Sequence, residues 1–165
     1  FNRSLKSANL GQNDIGDEGA IAISAALENN TTLTDLNLQA RRYGAKITAA
    51  GAQAITKMLE VNRSLTSVNL LQNDLGDGAS AIVAAAKQQG KIKTLCGIKE
   101  GQSEFMHTGS YDNGYLKAPD AALLSFDLEF NRALNSVDLR HNNIPDEGKQ
   151  QLRDTVKGKD ITLQL

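Results

Sequence analysis

The sequence predicts an α/β repeat protein, in which short strands alternate with helices and about five units stack into a single domain. Three observations predict it. Residues 4–30, 64–90 and 133–156 can be laid over one another with their apolar positions in register. Each begins with apolar residues at period two, as a half-buried strand requires, and each continues through a Gly-Asp or Pro-Asp turn into a helical pattern. The leading residues Leu5, Leu33, Leu65, Ile92 and Leu134 are spaced by 28, 32, 27 and 42 residues, and residues 161–165 supply a candidate sixth strand.

Each element of a unit follows from its residues. In unit one the alternation places Ala8 and Leu10 on one face and Ser7 and Asn9 on the other. Asn13 follows, and Asn73 and Asn142 share its phase; a side-chain amide there can bond backbone groups that turn inward after the strand. Asp17, Glu18, Asp146 and Glu147 fall where helices begin, favoured by capping and by the helix dipole. Ala22, Ile23, Ala26 and Leu27 form the expected apolar stripe of the first helix, matched by Ala54, Ile55, Met58 and Leu59 in the second.

Such thin layers account for an odd composition. Only 4% of the 165 residues are aromatic and none is Trp, because Leu, Ile and Ala fill the space between a strand and its helix. Eighteen Lys and Arg against nineteen Asp and Glu leave no basic footprint, which argues against a nucleic-acid partner. No apolar run is long enough for membrane insertion. The single cysteine cannot form an internal disulfide and suits a reducing, intracellular and cytoplasmic setting.

The run L-x-x-[apolar]-x-L-x-x-N-x-[IL], followed by a Gly-Asp-Glu-Gly helix start, resembles the leucine-rich repeats of the ribonuclease-inhibitor type, whose units are about 28 residues long. The resemblance covers essentially the whole chain. It implies a curved leucine-rich-repeat solenoid, a horseshoe segment with a parallel sheet on the concave face and helices on the convex face. Unit two departs from the pattern with Arg41 in place of the Asn, and unit four with Gly97 in place of the leucine that closes the strand. Residues 1–4 match residues 61–64, so the chain is expected to start in mid-repeat, as a piece of a longer array or with its edge packed against a neighbouring chain or repeat.

Several chemical sites are weighed and set aside. Asn2, Asn29, Asn30 and Asn62 each open an N-x-[ST] glycosylation pattern, but Asn2, Asn30 and Asn62 share one repeat phase, where Asn suits a left-handed turn ending a helix. In the loop at residues 13–19, Ile15 occupies what would be a calcium-ligand position. His107 and His141 stand apart, and Cys96 is expected on the concave side as a lone thiol. No catalytic, cofactor or metal site is predicted.

Two surfaces remain. The concave face is expected to present Ser7, Asn9 and Gly11; Asp35, Asn37 and Gln39; Ser67, Asn69 and Leu71; Thr94 and Cys96; and Ser136, Asp138 and Arg140. Asn9, Asn37 and Asn69 form a column, and Asp138 and Arg140 add charge, yet the face is small and polar. The insertions at 41–46 and 99–115 are richer: they make up about a seventh of the chain and hold four of its seven aromatic residues, Tyr43, Phe105, Tyr111 and Tyr115. Both follow a strand and precede a helix, hence share one edge of the stack. The long insertion is expected to fold towards Tyr43, with Arg41, Arg42 and Lys46 at the border, forming a recognition surface. Shortening residues 100–110 is expected to abolish partner binding with little effect on melting. Phe1, Val61, Phe126 and Phe130 are assigned to helix packing.

The expected function is therefore a non-enzymatic protein-interaction or scaffold module, in the manner of a subunit of a larger assembly. Two alternatives rest on the same resemblance: a GTPase-activating protein of the Ran-activator type, and a sensor repeat fragment of an immune-type receptor.

Overall fold

The structure is a computed structural model and describes residues 2–109 and 115–165. Strands and helices alternate as β1 (Ser7–Asn9), α1 (Gly16–Glu28), β2 (Asp35–Asn37), α2 (Ala49–Val61), β3 (Ser67–Asn69), α3 (Gly78–Gln89), β4 (Glu104–Met106), α4 (Ala118–Phe130), β5 (Ser136–Asp138), α5 (Asp146–Val156) and β6 (Thr162–Gln164). All strand pairs are parallel, and each joins equivalent repeat positions: Asn9 with Asn37, Asn37 with Asn69, and Asp138 with Gln164. The fold is an α/β leucine-rich-repeat solenoid.

Its core is a ladder of leucines. Leu33, Leu36 and Leu38 in unit two, Leu65, Val68 and Leu70 in unit three, and Leu134, Val137 and Leu139 in unit five are all buried, each set facing the helix that follows. The helix stripe differs from expectation in unit one, where Ala22 and Ala26 are exposed while Ala20, Ser24 and Leu27 are buried. In α2, Ile55, Met58 and Leu59 are buried as predicted, with Gly51 and Ala52 beside them. Ala20 and Leu27 keep the phase of the buried Ala52 and Leu59, and the small residue Ala20 faces the approach of α2 at Gly51.

Side-chain amides tie the turns. Asn73 Nδ2 donates to Leu70 O and Leu38 O, both at 3.0 Å, and its Oδ1 accepts from Ile47 N at 3.0 Å. Asn142 acts in the same way, donating to Leu139 O at 2.9 Å and to His107 O and accepting from Leu116 N at 2.8 Å, whereas Asn13 donates to Leu10 O and Gly11 O within its own unit. At the opposite edge Asn62 Oδ1 accepts from Ser64 N at 2.9 Å and Leu65 N at 2.8 Å, while its Nδ2 donates to Leu27 O at 2.7 Å and Asn30 O at 3.0 Å. Asn2, Asn30 and Asn131 make the same pair of acceptor contacts, and Gln89 makes them in unit four. The left-handed reading of this phase is corrected: Asn62 and Asn131 cap their helices at φ −66° and −72°, so the side-chain oxygen, not an unusual backbone, selects Asn.

Helix starts are tied across units as well. Asp17 lies in the first turn of α1 but does not cap that helix; it accepts from Thr48 N, Thr48 Oγ1 and Gly51 N at the start of α2. The Thr48 hydroxyl, above all, holds the Asp17 carboxyl below the usual carboxylate range.

Unit four breaks the pattern. Thr94 bridges Ser67 in parallel, but Cys96 bridges Asn69 in the antiparallel sense, so the chain reverses there instead of completing a strand. Gly97 makes the reversal at φ +73°, with Asn69 so close that a Cβ would sit 3.1 Å from its side chain. After a turn at residues 99–102 the chain forms β4, which pairs with β5 in the register Phe105 to Val137. The described strands therefore form two three-stranded sheets, β1-β2-β3 and β4-β5-β6, with a strand layer between α3 and α4 that carries no helix of its own.

Two buried carboxylates on α4 tie the helix to the units before it, Asp127 to the irregular layer and Asp120 to unit three. Asp127 sits in the helix phase of Met58 but accepts from Leu95 N at 2.6 Å, Cys96 N at 3.2 Å and the Thr94 hydroxyl. Asp120 occupies the phase of Gly51 and accepts from Gln72 N at 2.7 Å and Lys117 N at 2.8 Å. Burial outweighs these donors and pushes Asp120 up to about 6 and Asp127 to about 7.

Candidate functional site

The concave face carries a bonded amide ladder. Asn37 Nδ2 donates to Asn9 Oδ1 at 2.9 Å, but Asn69 Nδ2 turns to Gln39 Oε1 at 3.2 Å, and Gln39 Nε2 donates to Gln72 Oε1 at 2.7 Å. The column thus continues by a diagonal step. Asp138 and Arg140 close on each other through two bonds, Nε to Oδ1 at 3.0 Å and Nη2 to Oδ2 at 2.8 Å, and that pairing holds the Asp138 carboxyl below its usual range. Thr94 and Cys96 do not belong to this face, being 5% and 3% exposed. Reversal of the chain turns Cys96 inward, where burial pushes its thiol well up and leaves little nucleophilic thiolate. In their place β4 adds Glu104 and Met106, the latter 72% exposed.

The edge after the strands gathers the insertion residues. Arg42 lies 5.0 Å from the centroid of the Tyr43 ring and 5.1 Å from that of Tyr115, so one guanidinium bridges units two and four across unit three. Tyr115 is positioned by close backbone approach: a Cβ on Gly109 would fall 2.6 Å from its ring. Arg41 Nε bonds Asp14 Oδ1 at 2.9 Å, and Lys46 Nζ donates to Arg41 O. Partial burial holds Lys46 below the ordinary lysine range, opposed by Asp74. Lys117 Nζ pairs with Asp74 Oδ1 at 2.8 Å and extends the charged border to unit four.

Phe105 is separate from that group. It lies in β4 opposite Val137 and packs against the core, because the segment assigned to a loop supplies a strand. Tyr111 falls outside the described residues. Asp14, Asp74 and Lys117 were not singled out in the sequence; the charge at Lys117, directly before the helix and at the end of the insertion, is the signal that could have found it. Of the helix-end residues, Val61 and Phe130 are half exposed, whereas Phe126 is buried. Phe1 lies outside the described residues.

This geometry defines a repeat solenoid with a polar concave sheet and an aromatic, charged edge. A leucine-rich-repeat family profile matches residues 1–24, 61–83 and 130–150. No curated protein matches the chain significantly. Among solved structures, similarity is found to "Leiomodin-1 Actin-Binding Site 2 (ABS2)", with 20% identity and a TM-score of 0.54 over 94% of this chain and 80% of that one. The tropomodulin C-terminal domain of Caenorhabditis elegans is similar at 15% identity, with a TM-score of 0.54 over 94% of this chain and 84% of that one. Both likenesses are of fold. No described helix is long and apolar enough to cross a membrane.

Proposed function

We propose that the chain is a non-enzymatic protein-interaction module of the ribonuclease-inhibitor type, acting inside the cell as part of a longer repeat array. Its partner docks on the edge formed by Arg41, Arg42, Tyr43, Lys46 and Tyr115. The observation that carries the reading is the Arg42 guanidinium between two tyrosine rings, with Tyr43 61% exposed. Tyrosine provides a large, rigid contact area at low entropic cost, and tyrosine and arginine are enriched among the residues that dominate binding energy at interfaces. The concave ladder of Asn9, Asn37 and Asn69, with the Asp138–Arg140 pair, is a secondary surface whose polar groups already bond one another.

The name of the leiomodin-1 neighbour makes actin the first purified partner to try. Affinity capture from the native source, run in parallel, identifies any other. The double variant Tyr43→Ala/Tyr115→Ala is expected to weaken binding of the captured partner by at least about tenfold while the chain stays folded. Equal capture by the folded variant and the intact chain would refute this edge as the docking site.

A further inference from the structure

A cavity of about 740 Å³ opens at the other edge of the stack, where the sheet is interrupted. Its origin is the strand layer without a helix. That layer separates the C-terminal ends of α3 and α4, and the gap is lined by Ile92 and Ile98 on one side and by Phe126 and Phe130 on the other. The two rings pack with centroids 5.0 Å apart and planes tilted by 52°. Phe130 is nevertheless 50% exposed, so an apolar ligand would remove further ring surface from water.

The charges of the wall are unbalanced. Lys87 is paired with Glu129 and Lys93 with Glu100, whereas Lys99 and Arg132 make no ion pair among the described residues. Asp35 is the remaining acid in the wall. An apolar floor beside two unpaired cations and one unpaired acid leaves the wall net positive, which favours a molecule that is apolar along its body and anionic at one end. A neutral lipid would leave the cations without a counter-charge, and a cationic amphiphile would be repelled. The turn at residues 99–102, two helix ends and the strand edge at Asp35 and Ser67 bound a half-open cleft of the volume typical of small-molecule sites.

We propose that this cavity binds an amphiphilic carboxylate, with its apolar chain along the exposed Phe130 ring and the edges of the otherwise buried Ile92, Ile98 and Phe126, and its anionic head at Lys99 and Arg132. The site is independent of the tyrosine edge and of the protein-binding reading.

Calorimetric titration of the 165-residue chain with dodecanoate below its micelle concentration tests the proposal, with dodecanol and dodecyltrimethylammonium as neutral and cationic comparisons. Saturable binding is expected for dodecanoate, with at least about tenfold weaker binding of the other two. Lys99→Ala/Arg132→Ala changes surface side chains and should keep the melting transition while weakening dodecanoate by about tenfold. Amide chemical shifts should move at Ile92, Ile98, Phe126 and Phe130, and Tyr43→Ala/Tyr115→Ala should leave the affinity unchanged. Absence of saturable binding, equal affinity for the three amphiphiles, undiminished binding by the Lys99/Arg132 variant, or shifts mapping elsewhere would each overturn it. A peptide that occupies the cavity when dodecanoate does not would overturn it as well.

Discussion

Asp127 Oδ1 accepts a hydrogen bond from Leu95 N at 2.6 Å, joining the last turn of α4 to a strand layer that has no helix of its own. A buried carboxyl whose folded value lies above its unfolded one contributes stability that is complete below the unfolded pKa and is lost as pH rises through the folded one. For Asp120 and Asp127, raised from 3.8 to about 6 and about 7, the window runs from about pH 4 to about pH 7. Urea-unfolding midpoints should fall across that window. Asp127→Asn should flatten the slope by removing one titrating group, and an unchanged slope would show that Asp127 does not titrate there. Below about pH 4 the sign reverses, because Asp17 and Asp138 have lowered values and lose their contribution on protonation.

Asn62 provides the second prediction. It is 1% exposed and its amide makes four bonds to backbone groups of two units. Asn62→Ala should cost about 2–4 kcal/mol in denaturant unfolding, since it orphans buried donors and acceptors. Asn2→Ala removes the same two acceptor contacts at an exposed site and should cost less than about 1 kcal/mol. Similar losses in the two variants would contradict a burial-dependent role.

Cys96 should be inert in the folded chain. With its thiol buried and its pKa raised, alkylation by iodoacetamide at neutral pH is expected only after denaturation, at a rate set by unfolding. Labelling of the native chain as fast as of free cysteine would refute the inward orientation.

Ser24 offers a substitution in the stabilising direction. Its hydroxyl is buried on α1 without a hydrogen-bond partner among the described residues, so Ser24→Ala deletes a desolvated group and improves helix propensity. Thermal denaturation should show no loss, and a gain of up to about 1 kcal/mol. Clear destabilisation would mean that the hydroxyl is bonded.

Deletion of residues 100–110 now carries a different expectation, because it removes β4 and with it the partner of β5. Circular dichroism melting should show a large loss of stability, whereas the Tyr43→Ala/Tyr115→Ala pair should melt almost as the intact chain does. A deletion variant with unaltered melting would show β4 to be dispensable.

The repeat was legible because identical tasks recur at identical positions: Leu33, Leu65 and Leu134 begin strands, and Asn13, Asn73 and Asn142 bond turned-in carbonyls. The proximity of the two insertions was legible as well, from their shared place after the strand; Arg42 between Tyr43 and Tyr115 is its physical form. The strand at Glu104–Met106 was not legible. Its register with β5 puts Gln102 and His107 where Leu134 and Leu139 stand, so both leucine signals are absent. His107 is partly buried in that place, its basicity lowered by burial, and its Nδ1 has no partner among the described residues. Asp120 and Asp127 were hidden for a related reason: as acids on a helix they suggest a solvated face, and only the backbone donors they meet, Gln72 N for Asp120 and Leu95 N for Asp127, explain their burial.

The interrupted sheet also has a mechanical meaning. Among the described residues no backbone hydrogen bond links residues 94–98 to β4, so tension along the stack reaches the C-terminal half through α3–α4 packing, the bonds of Asp127 to Leu95 N and of Asp120 to Gln72 N, and the Lys117–Asp74 pair. Under load the two sheets would part at this layer before either one unzips, and residues 99–103 would pay out as tether. The solenoid thus carries a joint in its middle that is latched by side chains, the carboxylates of Asp120 and Asp127 above all, and not by a continuous sheet.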